Sequence, residues 1–163
     1  MSSDIAFGPV PSRRLGRSLG INNIPPKHCS YGCRYCQVGP THDKLIAPRP
    51  FYSPEAIAEA VARRVALARE QGEAIDYLTF VPDGEPTLDS RLADSTAALR
   101  PLNIPIAVIS NASLLWREEV RQALKLADWV SIKVDSVDEA IWRQVNRPHP
   151  ALSLARVLEG IRT

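Results

Sequence analysis

Short apolar strands alternate with helical segments along most of this chain, and this order constrains its fold more than any other feature. Helices are indicated by apolar residues at intervals of three and four, and strands by short apolar runs that end at polar or turn residues. The predicted strands are 19–24, 75–81, 104–109 and 129–134, and the predicted helices are 53–72, 88–99, 116–127, 138–145 and 153–161. Ser53 is the predicted N-cap of the first helix, and Asp89 or Ser90 is the predicted cap of the second. Such alternation predicts an α/β fold in which about four parallel strands are joined by helical crossovers.

Length and composition fit one globular domain. With 163 residues and a hydrophobic fraction of 45%, the chain can bury a core of its own. No apolar run reaches the roughly 18 residues that a membrane span requires, and residues 1–16 lack the apolar segment of a secretory signal. We therefore expect a cytoplasmic protein without a membrane anchor. Its single domain, 1–163, begins with a basic lead-in and first strand at 1–26, followed by a long loop at 27–50.

All three cysteines lie in this long loop, as Cys29, Cys33 and Cys36, with the spacing C-x3-C-x2-C. Three thiolates can hold three irons of a four-iron cluster and leave the fourth iron open, whereas electron-transfer clusters normally take four cysteines. The open iron is the counterpart of a catalytic zinc that keeps one coordination position free. The odd number of closely spaced thiols disfavours a disulfide framework and favours a reducing compartment.

Two other uses of these thiols stay open at this point. Zinc would need a further ligand, and His28 or His42 could supply it. However, zinc sites usually combine two separate C-x2-C pairs, and the sequence has no second pair. A loop of free thiols is the remaining interpretation. An iron–sulfur cluster accounts best for both the number and the spacing of the cysteines.

Polar residues follow each predicted strand at its carboxyl end, where parallel α/β folds collect their ligand-binding groups. The first strand leads directly into the cysteine loop. Each residue after the later strands also has an ordinary structural interpretation, as a helix cap, a turn residue or a salt-bridged lysine. Their occurrence at every strand end nevertheless favours one shared site. The candidates are Gly84, Glu85, Pro86, Thr87, Ser110, Asn111, Lys133 and Asp135.

The cysteine loop, with Tyr35 directly before its last cysteine, resembles the signature of the radical S-adenosylmethionine (SAM) superfamily. The run Gly84-Glu85-Pro86 is similar to the GEP-type motif that this family carries after its second strand. Residues 11–21 and 29–37 resemble Fe–S oxidoreductase-like proteins related to the tRNA wyosine-synthesis enzymes. The resemblance implies a radical SAM core domain, a partial (β/α) barrel that is truncated relative to the family's barrel of about six strand–helix units.

The resemblance also implies cofactors. The three cysteines would hold a [4Fe–4S] cluster, and SAM would bind its open iron. An electron from the cluster would cleave SAM to methionine and a 5′-deoxyadenosyl radical, which abstracts a hydrogen from a substrate. Tyr35 would pack near the adenine, and Gly84 and Glu85, with Pro86 in the same motif, would approach the SAM amino group. The further cofactor or substrate contacts would come from Thr87, Ser110, Asn111, Lys133 and Asp135.

The charge distribution bears on partners. Residues 1–50 carry a net charge of +5, and the remainder carries −3. A basic region beside a metal loop attracts anions, although it lacks the interleaved aromatic residues typical of single-strand binding. Together with the resemblance, it makes tRNA a candidate substrate. The resemblance also implies a protein partner, an electron donor such as flavodoxin or ferredoxin. The alternatives are a zinc-stabilised binding module and a cluster-binding fragment without turnover.

Overall fold

The computed structural model describes residues 4–41 and 43–163. Its core element is a five-stranded sheet in which the strands follow chain order. The strands are β1 (Ala6–Ser12), β2 (Gly16–Ile21), β3 (Tyr77–Phe80), β4 (Ile106–Ser110) and β5 (Trp129–Ile132). The helices are α1 (Pro54–Glu70), α2 (Leu92–Leu99), α3 (Glu118–Leu124), α4 (Glu139–Asn146) and α5 (Leu154–Arg162), with 3₁₀ turns at Pro86–Leu88 and Arg100–Leu102.

Strands β2 to β5 run parallel to one another, each to its neighbour, which confirms the α/β fold with about four parallel strands. The sheet is open, with β1 and β5 as its outermost strands. β1 was not predicted, and it pairs antiparallel with β2. Its sequence contains Gly8 and Pro9 and lacks apolar alternation, which is tolerable because an edge strand has one unpaired side.

Several element boundaries differ from the predicted ones. β2 ends at Ile21 rather than at residue 24. α2 begins at Leu92 because the preceding residues form a 3₁₀ turn. Asp89, one of the two predicted caps of that helix, instead accepts the backbone N–H of Arg91 at 3.0 Å, just before it. α3 is also shorter than predicted, since it starts at Glu118 rather than at residue 116.

The start of α1 follows the sequence pattern closely. The hydroxyl of Ser53 accepts the backbone N–H of Ala56 at 3.1 Å, so Ser53 caps the helix as predicted. The apolar stripe of α1 is fully buried, and the helix lies against β1, β2 and α2. Strand residues complete the core, because the sheet presents large apolar side chains to the helices. The fully buried strand members include Leu19, Ile21, Leu78, Phe80 and Ile106.

Parallel pairing places the carboxyl ends of β2, β3, β4 and β5 at one edge of the sheet. The cysteine loop follows β2 and therefore starts at this edge. The turn that contains Arg13 and Arg14 precedes β2 and lies at the opposite edge. β2 has six residues, which at about 3.3 Å per residue separate the two edges by about 20 Å. None of the helices within 4–41 and 43–163 has the length and apolar character needed to cross a bilayer.

Candidate functional site

A cavity of about 190 Å³ lies at the carboxyl edge of the parallel strands. All three cysteines line it, so the loop after β2 folds back over the ends of the neighbouring strands. Larger cavities lie elsewhere in the described residues, such as a groove of about 520 Å³ beside α2 and α3, but none of the cysteines lines that groove. The predicted residues that share the cavity with the cysteines are Tyr35, Gly84, Glu85, Ser110, Asn111, Lys133 and Asp135.

Glu85 is the polar centre of the strand ends, although only 1% of it is exposed. Its Oε1 accepts hydrogen bonds from the hydroxyls of Thr87 at 2.5 Å and Ser110 at 2.8 Å, and from the Thr87 backbone N–H at 3.2 Å. Its Oε2 accepts the backbone N–H of Asn111 at 2.7 Å. Burial raises the pKa of the Glu85 carboxyl, while these hydrogen bonds act in the opposite direction. Glu85 therefore joins the end of β3 to the end of β4.

Gly84 allows the cysteine loop to approach the end of β3. The backbone N–H of Glu85 donates to the carbonyl of His28 at 2.9 Å, directly before the first cysteine. A Cβ on Gly84 would lie 2.2 Å from that same carbonyl oxygen, which is far inside van der Waals contact. The close approach of two backbones is thus the physical reason for glycine at this position.

The end of α4 holds the middle of the cysteine loop. The backbone N–H of Gly32 donates to the carbonyl of Asn146 at 3.0 Å, and that of Arg34 donates to the carbonyl of Val145 at 2.9 Å. These carbonyls belong to the last turn of the helix, where backbone acceptors have no partner within the helix. The loop therefore takes up acceptors that would otherwise remain free, and its course depends on a helix more than 100 residues away in sequence.

Two asparagine amides, one directly after β4 and one at the end of α4, donate to cysteine sulfurs. Asn111 Nδ2 lies 3.6 Å from Cys29 Sγ, and Asn146 Nδ2 lies 3.4 Å from Cys33 Sγ. Burial, together with the nearby charge of Glu85, raises the pKa of Cys29 to about 12. Both effects favour the protonated thiol at Cys29, and an iron bound there would have to displace that proton.

Tyr35 and Asp135 meet at the rim of the cavity. The Tyr35 hydroxyl donates to Asp135 Oδ2, which also accepts from Asn146 Nδ2 at 2.5 Å. Lys133 Nζ lies 3.9 Å from the centroid of the Tyr35 ring and 3.9 Å from Asp135 Oδ1. Burial, followed by the hydrogen bond to Asp135, raises the pKa of Tyr35. These contacts link the cysteine loop to the segment after β5.

Pro86 and Thr87 lie behind Glu85. Both are buried, and Thr87 supports the Glu85 carboxylate from within the protein. The carbonyl of Pro86 accepts from the side chain of Asn23 at 3.1 Å. Their positions indicate support for the strand-end loop.

For the zinc alternative, ligands would have to converge on one ion. Within 4–41 and 43–163, no three His, Cys, Asp or Glu side chains are close enough to one another to hold a single metal ion. The ring of His28 lies instead against Phe51, with 5.1 Å between centroids, and its Nδ1 is 3.1 Å from the carbonyl of Pro25. The prediction that named His42 falls outside the described residues.

Sequence reasoning missed five residues that line the cavity. Asn146 is the most informative of these, because it contacts both a cysteine sulfur and Asp135. In the sequence, Asn146 directly follows the predicted helix 138–145 and looks like part of a connection between two helices, and no spacing rule relates it to the cysteines. The other missed residues are Tyr31, Val81, Pro82 and Ile109.

The comparison with protein-family models decides the family. The model of the radical SAM superfamily matches residues 23–163, which include the cysteine loop and the carboxyl ends of β3, β4 and β5. This chain belongs to the radical SAM superfamily. Members of this family use a [4Fe–4S] cluster and SAM, so the resemblance noted in the sequence is confirmed, together with the cofactors that it implies.

Individual curated relatives match nearly the whole of this chain. The chain is 60% identical over 157 residues to a UPF0026 protein of Methanocaldococcus jannaschii, covering 96% of this chain and 48% of the relative. It is 36% identical over 159 residues to a UPF0026 protein of Synechocystis, covering 96% of this chain and 58% of the relative. The chain thus spans about half the length of these curated relatives.

A solved structure supports the fold independently. The structure of TYW1 with a lysine-pyruvate adduct bound superposes with a TM-score of 0.63, covering 89% of this chain and 49% of that chain. The sequence identity is 17%, so this likeness concerns the fold. It confirms the arrangement of parallel strands and helices that carries the cysteine loop.

Proposed function

We propose that this chain forms the cluster- and SAM-binding part of a radical SAM enzyme, with a [4Fe–4S] cluster held by Cys29, Cys33 and Cys36. The observation that carries the proposal is that all three thiols line one cavity together with the polar ends of β3 and β4 and the segment after β5. Three thiol donors and no fourth cysteine fit a cluster with one open iron. When bound, the cluster and SAM supply reductive cleavage of SAM to methionine and a 5′-deoxyadenosyl radical, which abstracts a hydrogen from the substrate.

The chain's own residues position these groups. Glu85 already uses both carboxylate oxygens for internal hydrogen bonds. We therefore assign it to fixing the backbone at the ends of β3 and β4. Gly84 and Glu85 line the cavity, so a backbone carbonyl there would meet the SAM amino group, since a carbonyl can accept from an ammonium. Ser110 and Asn111 lie beside them on the next strand end and supply further polar contacts.

The rim of the cavity carries an exposed aromatic ring and a cation. The Tyr35 ring, 45% exposed, presents an aromatic face on which an adenine could pack. Lys133 lies over this ring and is half-exposed, which suits it to an anionic group of the cofactor or the substrate. Asp135 accepts from Tyr35 and Asn146 and so keeps the ring in place. A flavodoxin or ferredoxin is the proposed source of the electron.

Anaerobic reconstitution with iron and sulfide tests the cluster. The protein should turn brown and bind four irons per chain, as a [4Fe–4S] cluster contains, and Cys33→Ala should abolish both signals. Arg34→Ala is a matched control, because Arg34 is an exposed neighbour whose backbone, not its side chain, contacts α4. A colourless protein that binds one zinc ion would contradict the proposal.

Reductive cleavage of SAM tests turnover separately. The reconstituted chain, given dithionite and SAM, should form 5′-deoxyadenosine and methionine, and Cys33→Ala should form neither. A cluster that is present but yields no 5′-deoxyadenosine would mean that this chain binds cofactors without turnover. Repeating the assay with flavodoxin and its reductase in place of dithionite tests the proposed electron donor.

A further inference from the structure

We infer that Asn146 and Asn111 are positioning residues that raise the reduction potential of the cluster, through amide N–H bonds to the sulfurs of Cys33 and Cys29. This inference rests on the proposed function and deepens it. The two donor–sulfur distances, 3.4 Å and 3.6 Å, are suited to N–H···S contacts. Both asparagines lie far from the cysteine motif in sequence, since Asn146 is at the end of α4 and Asn111 directly follows β4.

The orientation of the Asn146 amide follows from its neighbours. Asn146 is only 2% exposed, and its Nδ2 lies 2.5 Å from Asp135 Oδ2. Asp135 Oδ2 is the acceptor in this contact and also accepts from the Tyr35 hydroxyl, so the nitrogen of the Asn146 amide, and not its oxygen, faces Asp135. The same nitrogen therefore faces Cys33. The backbone carbonyl of Asn146 also accepts the backbone N–H of Gly32. Asn146 therefore contacts both the backbone of the cysteine loop and the sulfur of Cys33.

Asn111 has an equally constrained amide. Its Oδ1 accepts the backbone N–H of Ser113 at 3.0 Å, which a nitrogen at that position could not do. Its Nδ2 is consequently turned towards Ser30 Oγ, at 3.0 Å, and Cys29 Sγ. The backbone N–H of Asn111 is bound to Glu85, so the whole residue is fixed by the β3–β4 connection.

An N–H that points at a ligand sulfur stabilises negative charge there. Reduction adds one electron to the cluster and increases the charge on its sulfurs, so the donor stabilises the reduced state more than the oxidised state. Hydrogen bonds to the sulfurs and the burial of the site are among the main determinants of iron–sulfur potentials. Within 4–41 and 43–163, no side chain donates to the sulfur of Cys36, so the effect falls on two of the three ligands.

A redox titration of the reconstituted chain tests this inference, with the EPR signal of the reduced cluster as the readout. Asn146→Leu and Asn111→Leu should each shift the midpoint potential to more negative values, and the double variant should shift it further. Thr96→Val is the control, because Thr96 is a buried polar residue of α2 whose hydroxyl donates to the carbonyl of Leu92, and it is not among the residues that line the cavity. Its potential should equal that of the wild type.

The outcomes separate a tuning role from a structural one. A residue that only supports the fold would lower cluster content or thermal stability and leave the potential of the remaining cluster unchanged, and that result overturns the inference. If Asn146→Leu does not fold, the half-buried Asn111 decides the question by the same criterion. A wild-type chain that holds a cluster and cleaves SAM, with variant potentials unchanged, refutes this inference alone. A wild-type chain without a cluster refutes the proposed function as well.

Discussion

The carboxylate of Glu85 accepts the backbone N–H of Asn111 at 2.7 Å and thereby joins two neighbouring strand ends beneath the cavity. The bond matters because the residues on either side of it face the cysteine loop. Gly84 lies against the carbonyl of His28, and the Asn111 amide faces Cys29. Replacing Glu85 is therefore expected to displace Cys29, both through the contact of Gly84 with His28 and through the Asn111 amide.

Glu85→Ala should destabilise the fold strongly. It would leave the Asn111 N–H and the hydroxyls of Thr87 and Ser110 without their acceptor. Each buried donor left unsatisfied costs about 1–3 kcal/mol, so we expect a loss of about 3 kcal/mol or more in the free energy of unfolding. Urea denaturation measures this loss. Glu59→Ala, on the exposed face of α1, is the control and should cost less than about 1 kcal/mol; equal losses in both variants would contradict the role of Glu85.

The same carboxyl should make stability depend on pH. Burial raises the pKa of folded Glu85 above the value of about 4.3 that an unfolded glutamate has. The contribution of Glu85 to the free energy of unfolding is then fully present below about pH 4.3. It declines as the pH rises towards the folded pKa, because Glu85 loses its proton at a lower pH in the unfolded chain than in the folded one. The free energy of unfolding of the iron-free chain should therefore fall between about pH 4.5 and pH 7 by more in the wild type than in Glu85→Gln. Parallel profiles would argue against a raised pKa.

Gly84→Ala should displace the cysteine loop. The new Cβ would lie 2.2 Å from the carbonyl oxygen of His28, and that atom belongs to the backbone, so the loop itself must shift. Overpacking of this kind costs about 1–3 kcal/mol. Iron content after reconstitution should fall together with thermal stability. Gly72→Ala is the comparison. Gly72 has a φ of 70°, but a Cβ added there would have no atom within 4 Å. This variant should lose about 1–2 kcal/mol of its free energy of unfolding and keep its iron.

Binding of tRNA stays a prediction, and the structure determines how it should be tested. Arg13 and Arg14 lie at the opposite edge of the sheet from the cysteines, so they could contact only phosphates far from the reacting centre. If tRNA binds, replacing both arginines with alanine should lower the slope of log affinity against log salt concentration by up to about 2, and leave SAM cleavage unchanged. Filter binding at several salt concentrations measures this slope. A loss of SAM cleavage in the double variant would contradict the separation of the two regions.

Sequence reasoning recovered the elements whose causes are local. The apolar stripe of α1 and its Ser53 cap follow directly from residue spacing, and β3, β4 and β5 are apolar runs that end at polar residues. β1 was missed because its pairing with β2 compensates for a sequence without strand periodicity. The start of α2 was misplaced because Asp89 forms its hydrogen bond before the helix begins.

By itself, the sequence determined the chemistry: three thiols with this spacing predict an open cluster, and polar residues after every strand predict a site at one edge of a parallel sheet. Only the tertiary structure decided which groups surround the sulfurs. The Asn146 amide contacts Cys33, which lies 113 positions away in sequence. The Glu85 carboxylate forms buried hydrogen bonds that join the ends of β3 and β4. Such contacts depend on how α4 and the strand ends pack together, and no local spacing encodes that packing.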